Sequence, residues 1–322
     1  MTGLGEIMVV VPAWNEERHI VACLDSLLRD APELTVIVAD GGSTDRTRDL
    51  VQGLTDQFAN LQLLDNPARL QSAGINRAAE RCATPAHRIL VRCDAHAGYP
   101  PGYVMAVAAA MDQHQAASVV VPMDSVGQTA FGRAAAWIVD TRLGSGGSAH
   151  RGGRRSGPVD HGHHAGMDMG WFRRIGGYDP GFSHNEDAEY DHRLRLAGGD
   201  IWMQSDIRLN YVMRPDFRAL AKQYWSYGRG RARTVTKHRM RPKPRQLIPV
   251  INLAGMGLAI GAALFWPWAI FWPAAYICAL ALVSLIGIRA IGPDGLLAGP
   301  ALFAMHNFWA AGFLWQITRG RG

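Results

Sequence analysis

Asp94 and His96 stand two residues apart in Val91-Arg92-Cys93-Asp94-Ala95-His96. In an extended segment, side chains two apart share a face. An oxygen and a nitrogen ligand presented together could help bind a divalent cation that bridges a diphosphate. Mg2+ prefers oxygen throughout, so the imidazole tilts the choice toward Mn2+. The plain alternative is a polar strand end. A second group, Ser183-His184-Asn185-Glu186-Asp187-Ala188-Glu189-Tyr190-Asp191, gathers carboxylates at a helix start. The helix dipole favours acidic residues there, but capping does not require an adjacent Glu186-Asp187 pair. Such a pair can supply a general base to an acceptor hydroxyl.

Two more groups sit at turns. Pro12-Ala-Trp-Asn15-Glu16 follows one apolar run, and Asp40-Gly-Gly-Ser43-Thr-Asp45-Arg-Thr47 follows the next. A carboxylate at a strand end can accept from a nucleobase N–H, and nearby hydroxyl and backbone groups can hold a ribose. One such segment reads as ordinary turn chemistry; two in succession favour donor binding through Pro12, Asn15, Glu16, Asp40 and Ser43. In His161-Gly-His163-His164-Ala-Gly166, adjacent His163 and His164 point opposite ways on a strand, which argues against zinc. A substrate-side role, a further metal ligand and structural hydrogen bonding stay open for them. The glycine-rich stretch 144–157 carries Arg151, Arg154 and Arg155. It reads either as a lid over a phosphate-bearing ligand, with Arg151 on the donor, or as an exposed linker.

These residues need a scaffold that brings distant turns to one edge. Met8–Pro12, Leu34–Ala39, Leu61–Leu64, Arg88–Val91 and Ala117–Val121 are short apolar runs. Helical patterns at 17–29, 72–81 and 102–114 lie between them. Alternation of this kind predicts an α/β fold with a mostly parallel, doubly wound sheet. Ligands then sit beyond the carboxyl ends of the strands, where Asp40 and Asp94 fall.

The 322 residues, 48% apolar and 19% charged, are unevenly composed. From Leu247 onward the only charged residues are Arg289, Asp294, Arg319 and Arg321. Breaks at Trp266-Pro-Trp268 and Gly292-Pro-Asp-Gly295 leave apolar stretches near 247–266, 268–288 and 296–317. Each has the length to cross a bilayer. The net charge of +6 is concentrated before this tail, at Arg229, Arg231, Arg233, Lys237, Arg239, Arg241, Lys243 and Arg245. Juxtamembrane cations mark a cytoplasmic membrane surface rather than a nucleic-acid partner. The expected organisation is a cytosolic domain over 1–245, its basic amphipathic end near 216–245, and about three membrane spans over 246–322. Cys23, Cys82, Cys93 and Cys278 show no metal or disulfide spacing, and no secretory leader is evident.

Taken in order, these groups resemble family 2 glycosyltransferases of the GT-A fold, closest to the ExoA-like branch that builds exopolysaccharides such as succinoglycan. Gly176-Gly177-Tyr178-Asp179 adds to the likeness. The resemblance implies inverting transfer from an NDP-sugar, UDP-glucose or similar, to a lipid-linked saccharide at the cytoplasmic face of the inner membrane, alongside other polysaccharide-assembly proteins. It implies Pro12, Asn15, Glu16 and Asp40 around the nucleoside. Asp94 takes the first carboxylate of an Asp-x-Asp metal motif, and Asp187 the general-base position. His96 departs from the second Asp of many relatives. Gln223-Tyr-Trp-Ser-Tyr227 stands where processive relatives carry Gln-x-x-Arg-Trp, which disfavours a processive synthase. A nucleotide oxidoreductase is excluded, because Pro12-Ala-Trp-Asn-Glu stands where Gly-x-Gly-x-x-Gly is required. A polyprenyl-phosphate monosaccharide transferase and a non-catalytic nucleotide-sugar-binding membrane protein are the remaining alternatives.

Overall fold

The computed structural model describes residues 2–28, 33–148, 151, 153 and 155–320. Arg29 at the end of the first expected helix, Arg154 of the glycine-rich stretch and Arg321 lie outside these.

The chain forms two compact units, Met1–Met123 with Gly153–Asn210, and Asp124–Gly152 with Tyr211–Gly322. This division falls before the basic helix, whereas composition alone draws its line near 245. In chain order the strands are β1 (Ile7–Ala13), β2 (Thr35–Asp40), β3 (Leu61–Asp65), β4 (Ile89–Arg92), β5 (Ser118–Val121), β6 (Met123–Val126), β7 (Gly157–Pro158), β8 (His163–Asp168), β9 (Ile201–Met203) and β10 (Leu209–Val212). The helices are α1 (Ile20–Leu28), α2 (Thr47–Thr55), α3 (Gln71–Arg81), α4 (Tyr103–His114), α5 (Ala130–Val139), α6 (Arg142–Ser145), α7 (Met169–Arg174), α8 (Glu186–Leu196), α9 (Phe217–Lys237), α10 (Pro244–Ala262), α11 (Phe271–Ile291) and α12 (Ala298–Arg319).

Eight strands of the first unit run β3-β2-β1-β4-β8-β5-β9-β7. Pairs β1–β2, β2–β3, β1–β4 and β5–β9 are parallel, and β8 is antiparallel to both β4 and β5. The central strands read as unbroken apolar runs because both faces are covered. Ile7, Val9, Val11, Val36, Val38 and Val91 point into one core, with α1 and α4. Met8, Val10, Ile37, Ala39 and Leu90 point into the other, with α3, α7 and α8. Period-two alternation thus assigns successive side chains to opposite layers. The result is the expected α/β, GT-A-like sheet.

Register positions the site. Ala13 lies beside Asp40, and Val10 beside Arg92, so the ends of β1, β2 and β4 share one edge. Antiparallel β8 enters at that same edge, with Gly166 beside Val91, so its leading residues His163 and His164 arrive next to Asp94. A side chain at Gly166 would strike Val107, with a Cβ only 2.6 Å from Cγ1. Glycine there lets α4 lie directly on the sheet.

In the second unit, α9 and α12 cross at glycine. A Cβ on Gly228 would lie 2.0 Å from the Trp309 carbonyl oxygen, and one on Gly312 would lie 2.2 Å from that of Trp225. Small residues at a helix crossing allow this backbone approach. Among the described residues two helical stretches are long and apolar enough to cross a membrane: Pro244–Ala262 and the 53-residue Pro267–Arg319, whose 18-residue windows reach mean hydropathy 1.2 and 2.2. The second is divided into α11 and α12 by a 3-10 turn at Gly292–Leu297. Leu258, Leu264 and Phe265 turn outward, the last 92% exposed.

Candidate active site

The loops after β1 and β2 are laced together. The Gly41 N–H donates to the Ala13 carbonyl at 2.8 Å. The Asn15 N–H donates to Ser43 Oγ at 2.9 Å, and Thr44 N–H returns to Asn15 Oδ1 at 2.8 Å. The Glu16 N–H donates to Thr47 Oγ1 at 2.8 Å. Asn15 reaches this geometry with φ of 56°, a left-handed conformation that asparagine tolerates. Buried Asp40 accepts from the Gly42 and Ser43 N–H groups at 3.0 and 3.2 Å and from Arg48 at 2.8 Å. Arg48 also reaches Asp65 at 2.7 Å. Burial opposes Asp40's charge, yet hydrogen bonds from Ser43 and Arg48 outweigh it and hold the carboxyl below its usual range. Pro12 belongs to the end of β1, half-buried beside Ala39.

Asp94 lies just past β4. Its N–H donates to Tyr99 Oη at 2.5 Å, and its Oδ1 accepts from Gln71 Nε2 at 2.9 Å. Oδ2 faces His163 Nε2 at 3.9 Å. His96 does not share an extended segment with it. The strand ends at Arg92, residues 95–96 form a turn, and His96 Nδ1 lies 3.0 Å from Glu16 Oε1. Glu16 therefore joins the β1 loop to the β4 end; burial is the strongest single influence and would raise its carboxyl, but the hydrogen bonds and charges of His96 and His19 together lower it. Asp94 itself is lowered to about 2, since the Arg92 charge overcomes burial, with smaller help from His163 and His96.

The acidic helix start closes the site from the other side. Asn185, at φ of 60°, turns the chain into α8, whose first residues are Glu186 and Asp187. Arg92 Nη1 donates to Asp187 Oδ1 at 2.5 Å, lies 3.7 Å from Glu186 Oε1, and its Nε is 3.4 Å from Asp94 Oδ1. The two neighbouring carboxyls are driven apart. Burial and the Asp187 charge push Glu186 up to about 7, while Arg92 holds Asp187 low against burial. Opposed shifts in an acidic pair are the pattern of divided acid–base roles.

His163 and His164 separate as adjacent strand residues must. His163 faces Asp94; burial pushes it down to about 4. His164 turns inward, fully buried, with Nε2 2.8 Å from Asp191 Oδ1 and Nδ1 2.5 Å from Tyr178 Oη. The other Asp191 oxygen lies 2.7 Å from His161 Nδ1. His164 thus braces α8 against β8, and its nearest approach to the cluster is 3.8 Å to Asp187 Oδ1. Tyr178 is set by Asn76, which accepts from its N–H at 2.8 Å and donates to its carbonyl at 2.7 Å. That clamp needs Gly177 at φ of 65°, where a Cβ would sit 2.4 Å from Asn76 Oδ1.

The first unit therefore brings together Asn15, Glu16, Asp40, Ser43, Asp94, His96, His163, Glu186 and Asp187. Arg151 lies in the second unit, its guanidinium 4.4 Å above the Tyr211 ring. Sequence reasoning passed over Arg92, Gln71 and the Asp191 couple. Arg92 had a signal: a cation closing the apolar strand Ile89-Leu-Val must have carboxylate partners. Among the described residues no three His, Cys, Asp or Glu side chains converge as a closed metal cage. Asp94, with His163 Nε2 3.9 Å from its Oδ2, has the donor atoms of an open site instead, of the kind in which one carboxylate shares a divalent ion with substrate phosphates and water; His96 is turned to Glu16.

The family model described as glycosyl transferase family 2 matches residues 8–176. The chain is 40% identical to the succinoglycan biosynthesis protein ExoA of Rhizobium meliloti (strain 1021), over 95% of this chain and 93% of that protein. The chain belongs to glycosyl transferase family 2. It is a glycosyltransferase of ExoA-like type, and its sheet is the GT-A-like fold. Among solved structures, the mannosyltransferase PcManGT of Pyrobaculum calidifontis, in complex with GDP-Man and Mn2+, aligns with a TM-score of 0.61 at 17% identity, covering 98% of this chain and 88% of that one. S. aureus TarS in complex with UDP-GlcNAc aligns at 0.50 with 14% identity, covering 98% and 92%. The family match ends at 176, short of Glu186 and Asp187, whereas the likeness to ExoA spans 314 residues.

Proposed function

We propose that this glycosyltransferase moves a sugar, with inversion, from an NDP-sugar such as UDP-glucose onto a lipid-linked saccharide during exopolysaccharide assembly. The observation that carries this reading is the meeting of Asp94 and Asp187 on one guanidinium. The two carboxylates, 93 positions apart in sequence, both lie against Arg92, as a donor-side and an acceptor-side group of one site would. The name of the R. meliloti relative supports the succinoglycan-type pathway. Residues 1–245 would act in the cytoplasm, with α10, α11 and α12 anchoring them in the inner membrane and the basic segment of α9 against anionic lipid.

Pro12, Asn15, Glu16, Asp40 and Ser43 would surround the nucleoside. Asp94, with His96 or His163, would hold a divalent cation, Mn2+ or Mg2+, which offsets charge on the departing diphosphate. Asp187 accepts the proton of the acceptor hydroxyl through Oδ2, the oxygen that Arg92 does not engage. The hydroxyl oxygen bonds to the anomeric carbon as the bond to the diphosphate oxygen breaks. One displacement inverts that carbon. His163 stays neutral on the acceptor side of Asp94, and His164 steadies the helix that presents Asp187.

Sugar transfer from radiolabelled NDP-sugars into extracted membrane lipid tests the reading, with and without Mn2+ or Mg2+, for wild type and Asp187→Asn. Metal-dependent incorporation from one donor, lost in the variant, is expected. A lipid product bearing a single sugar on a monophosphate would replace the saccharide acceptor with polyprenyl phosphate. No incorporation from any donor, with native acceptors present, would sink the reaction itself.

A further inference from the structure

Arg92 is 95 residues from Asp187 in sequence and its side chain is only 5% exposed. A buried guanidinium is costly unless charged partners and hydrogen bonds surround it. Here it has both. Its Nη1 engages Asp187 Oδ1, and its Nε and Nη2 lie 3.4 and 3.5 Å from Asp94 Oδ1. The fork thus spans the last residues of β4 and the first turn of α8 at once. Asp187 keeps one oxygen on Arg92, while Oδ2 has no hydrogen-bond partner among the described residues. The Asp187 side chain is 19% exposed, so its carboxylate is within reach of a ligand.

We propose that Arg92 is the positioning residue for the general base: it fixes Asp187 through Oδ1, leaves Oδ2 to take the acceptor proton, and locks that base in register with the donor-side Asp94. This rests on the reaction proposed above. The geometry follows the general logic of an oriented base, in which a third group sets the rotamer of the residue that moves the proton. It differs from ordinary ion pairing because the same guanidinium also touches the carboxylate that serves the donor. A shift of one partner is transmitted to the other through rigid, planar nitrogens. Lysine, a point charge on a flexible stem, cannot hold both.

Arg92→Lys keeps the buried positive charge and so preserves the fold better than a neutral residue would. Its kcat is expected to fall about 10²-fold, the scale of an ångström-sized misplacement, with the donor KM nearly unchanged. Asp94 keeps its 2.9 Å bond from Gln71 when the longer Arg92 contacts are lost, so calorimetric binding of the donor's nucleoside diphosphate with Mn2+ should stay near wild type. In Arg92→Ala, free guanidinium at millimolar concentration should restore part of the lost kcat. Wild-type kcat in Arg92→Lys would overturn the assignment. So would a loss confined to KM, or loss of nucleotide binding, since Arg92 would then serve the donor. Wild type is the control that separates the two ideas. No transfer by wild type strikes the proposed reaction, whereas normal transfer by Arg92→Lys strikes only the role of Arg92.

Discussion

At the ends of β1 and β2, polar groups meet mostly neutral partners: Asn15 with Ser43 and Thr44, Glu16 N–H with Thr47, Asp40 with two backbone amides. These bonds lie within or between two adjoining turns, and several face water. At the end of β4 and the start of α8, charge meets charge in a buried cluster of Arg92, Asp94, Glu186, Asp187, His164 and Asp191. The first region resembles a moulded receptor for a ligand rich in hydrogen-bonding groups. The second stores its specificity in a few desolvated charges, where the loss of one partner exposes another to the low-dielectric interior. Substitutions should therefore act on affinity and by small steps in the first, and on turnover or stability and by large steps in the second.

The largest effect belongs to the proposed base. Asp187→Asn keeps the shape of the side chain and a bond to Arg92 but cannot accept a proton. Its kcat should fall about 10³-fold, within the range for general-base removal, while thermal melting shows the fold retained. A variant within tenfold of wild type, about 1.4 kcal/mol, would move the base elsewhere, with Glu186 as the nearest carboxyl.

Asp191→Asn tests the same region for stability. It leaves His164 buried without its anionic partner, a loss of about 3 kcal/mol, read by denaturant unfolding. The pH dependence carries a sign. Asp191 is lowered from 3.8 to about 2 because His164, assisted by His161, outweighs burial. Its folded pKa lies below its unfolded value, so its stabilisation is complete above about pH 4 and is lost as pH falls toward 2. The shift corresponds to roughly 2 kcal/mol. Wild type should therefore lose stability more steeply than Asp191→Asn across that interval. Parallel slopes would show that the couple contributes little.

Much of the first region was legible in the sequence. An apolar run such as Met8–Val11 followed by a turn has few alternatives to a buried parallel strand, and parallel pairing of the first two strands brings their following turns together. The second region was half legible. Glu186, Asp187, His163 and Asp94 stand out by type, but their assembly depends on β8 running antiparallel between β4 and β5, and its opening His163-His164-Ala-Gly carries no strand pattern. Arg92 carried a signal as a cation closing an apolar strand, but its partners Glu186 and Asp187 come from a distant helix. His96 was misdirected by assuming an extended segment. Tyr99, bonded to the Asp94 N–H and carbonyl, favours a turn that sends the imidazole to Glu16. The unit boundary near 211 was likewise invisible, because α9 is basic by composition yet packs through Gly228 and Leu220 with apolar helices.

Asp40→Asn probes a place where the first region borrows the second's device, a charged pair. The Arg48 ion pair is lost, but Arg48 keeps Asp65 and the backbone donors remain. Donor KM should rise about tenfold, the scale of one charge-assisted bond, with kcat little changed. A collapse of kcat instead would show that the two ends of the site are coupled more tightly than their separate bonding indicates.

Ser43→Ala should have the smallest effect. The hydroxyl accepts the Asn15 N–H at an exposed position where water can take its place, and Asp40, which it also steadies, keeps the Gly42 and Ser43 amides and Arg48. The net worth of such a bond is about 1 kcal/mol or less, so donor KM should rise by at most about fivefold, with melting temperature and kcat close to wild type. Asn15 Oδ1 still accepts from Thr44, and Glu16 still donates to Thr47, so the two loops remain joined by bonds the substitution does not touch. That redundancy is what separates a turn-built receptor from a charge-built one. A loss at Ser43 on the scale of Asp187 would mean that its hydroxyl contacts the reacting part of the donor rather than the nucleoside, and the contrast between the two regions would then fail at its weakest point.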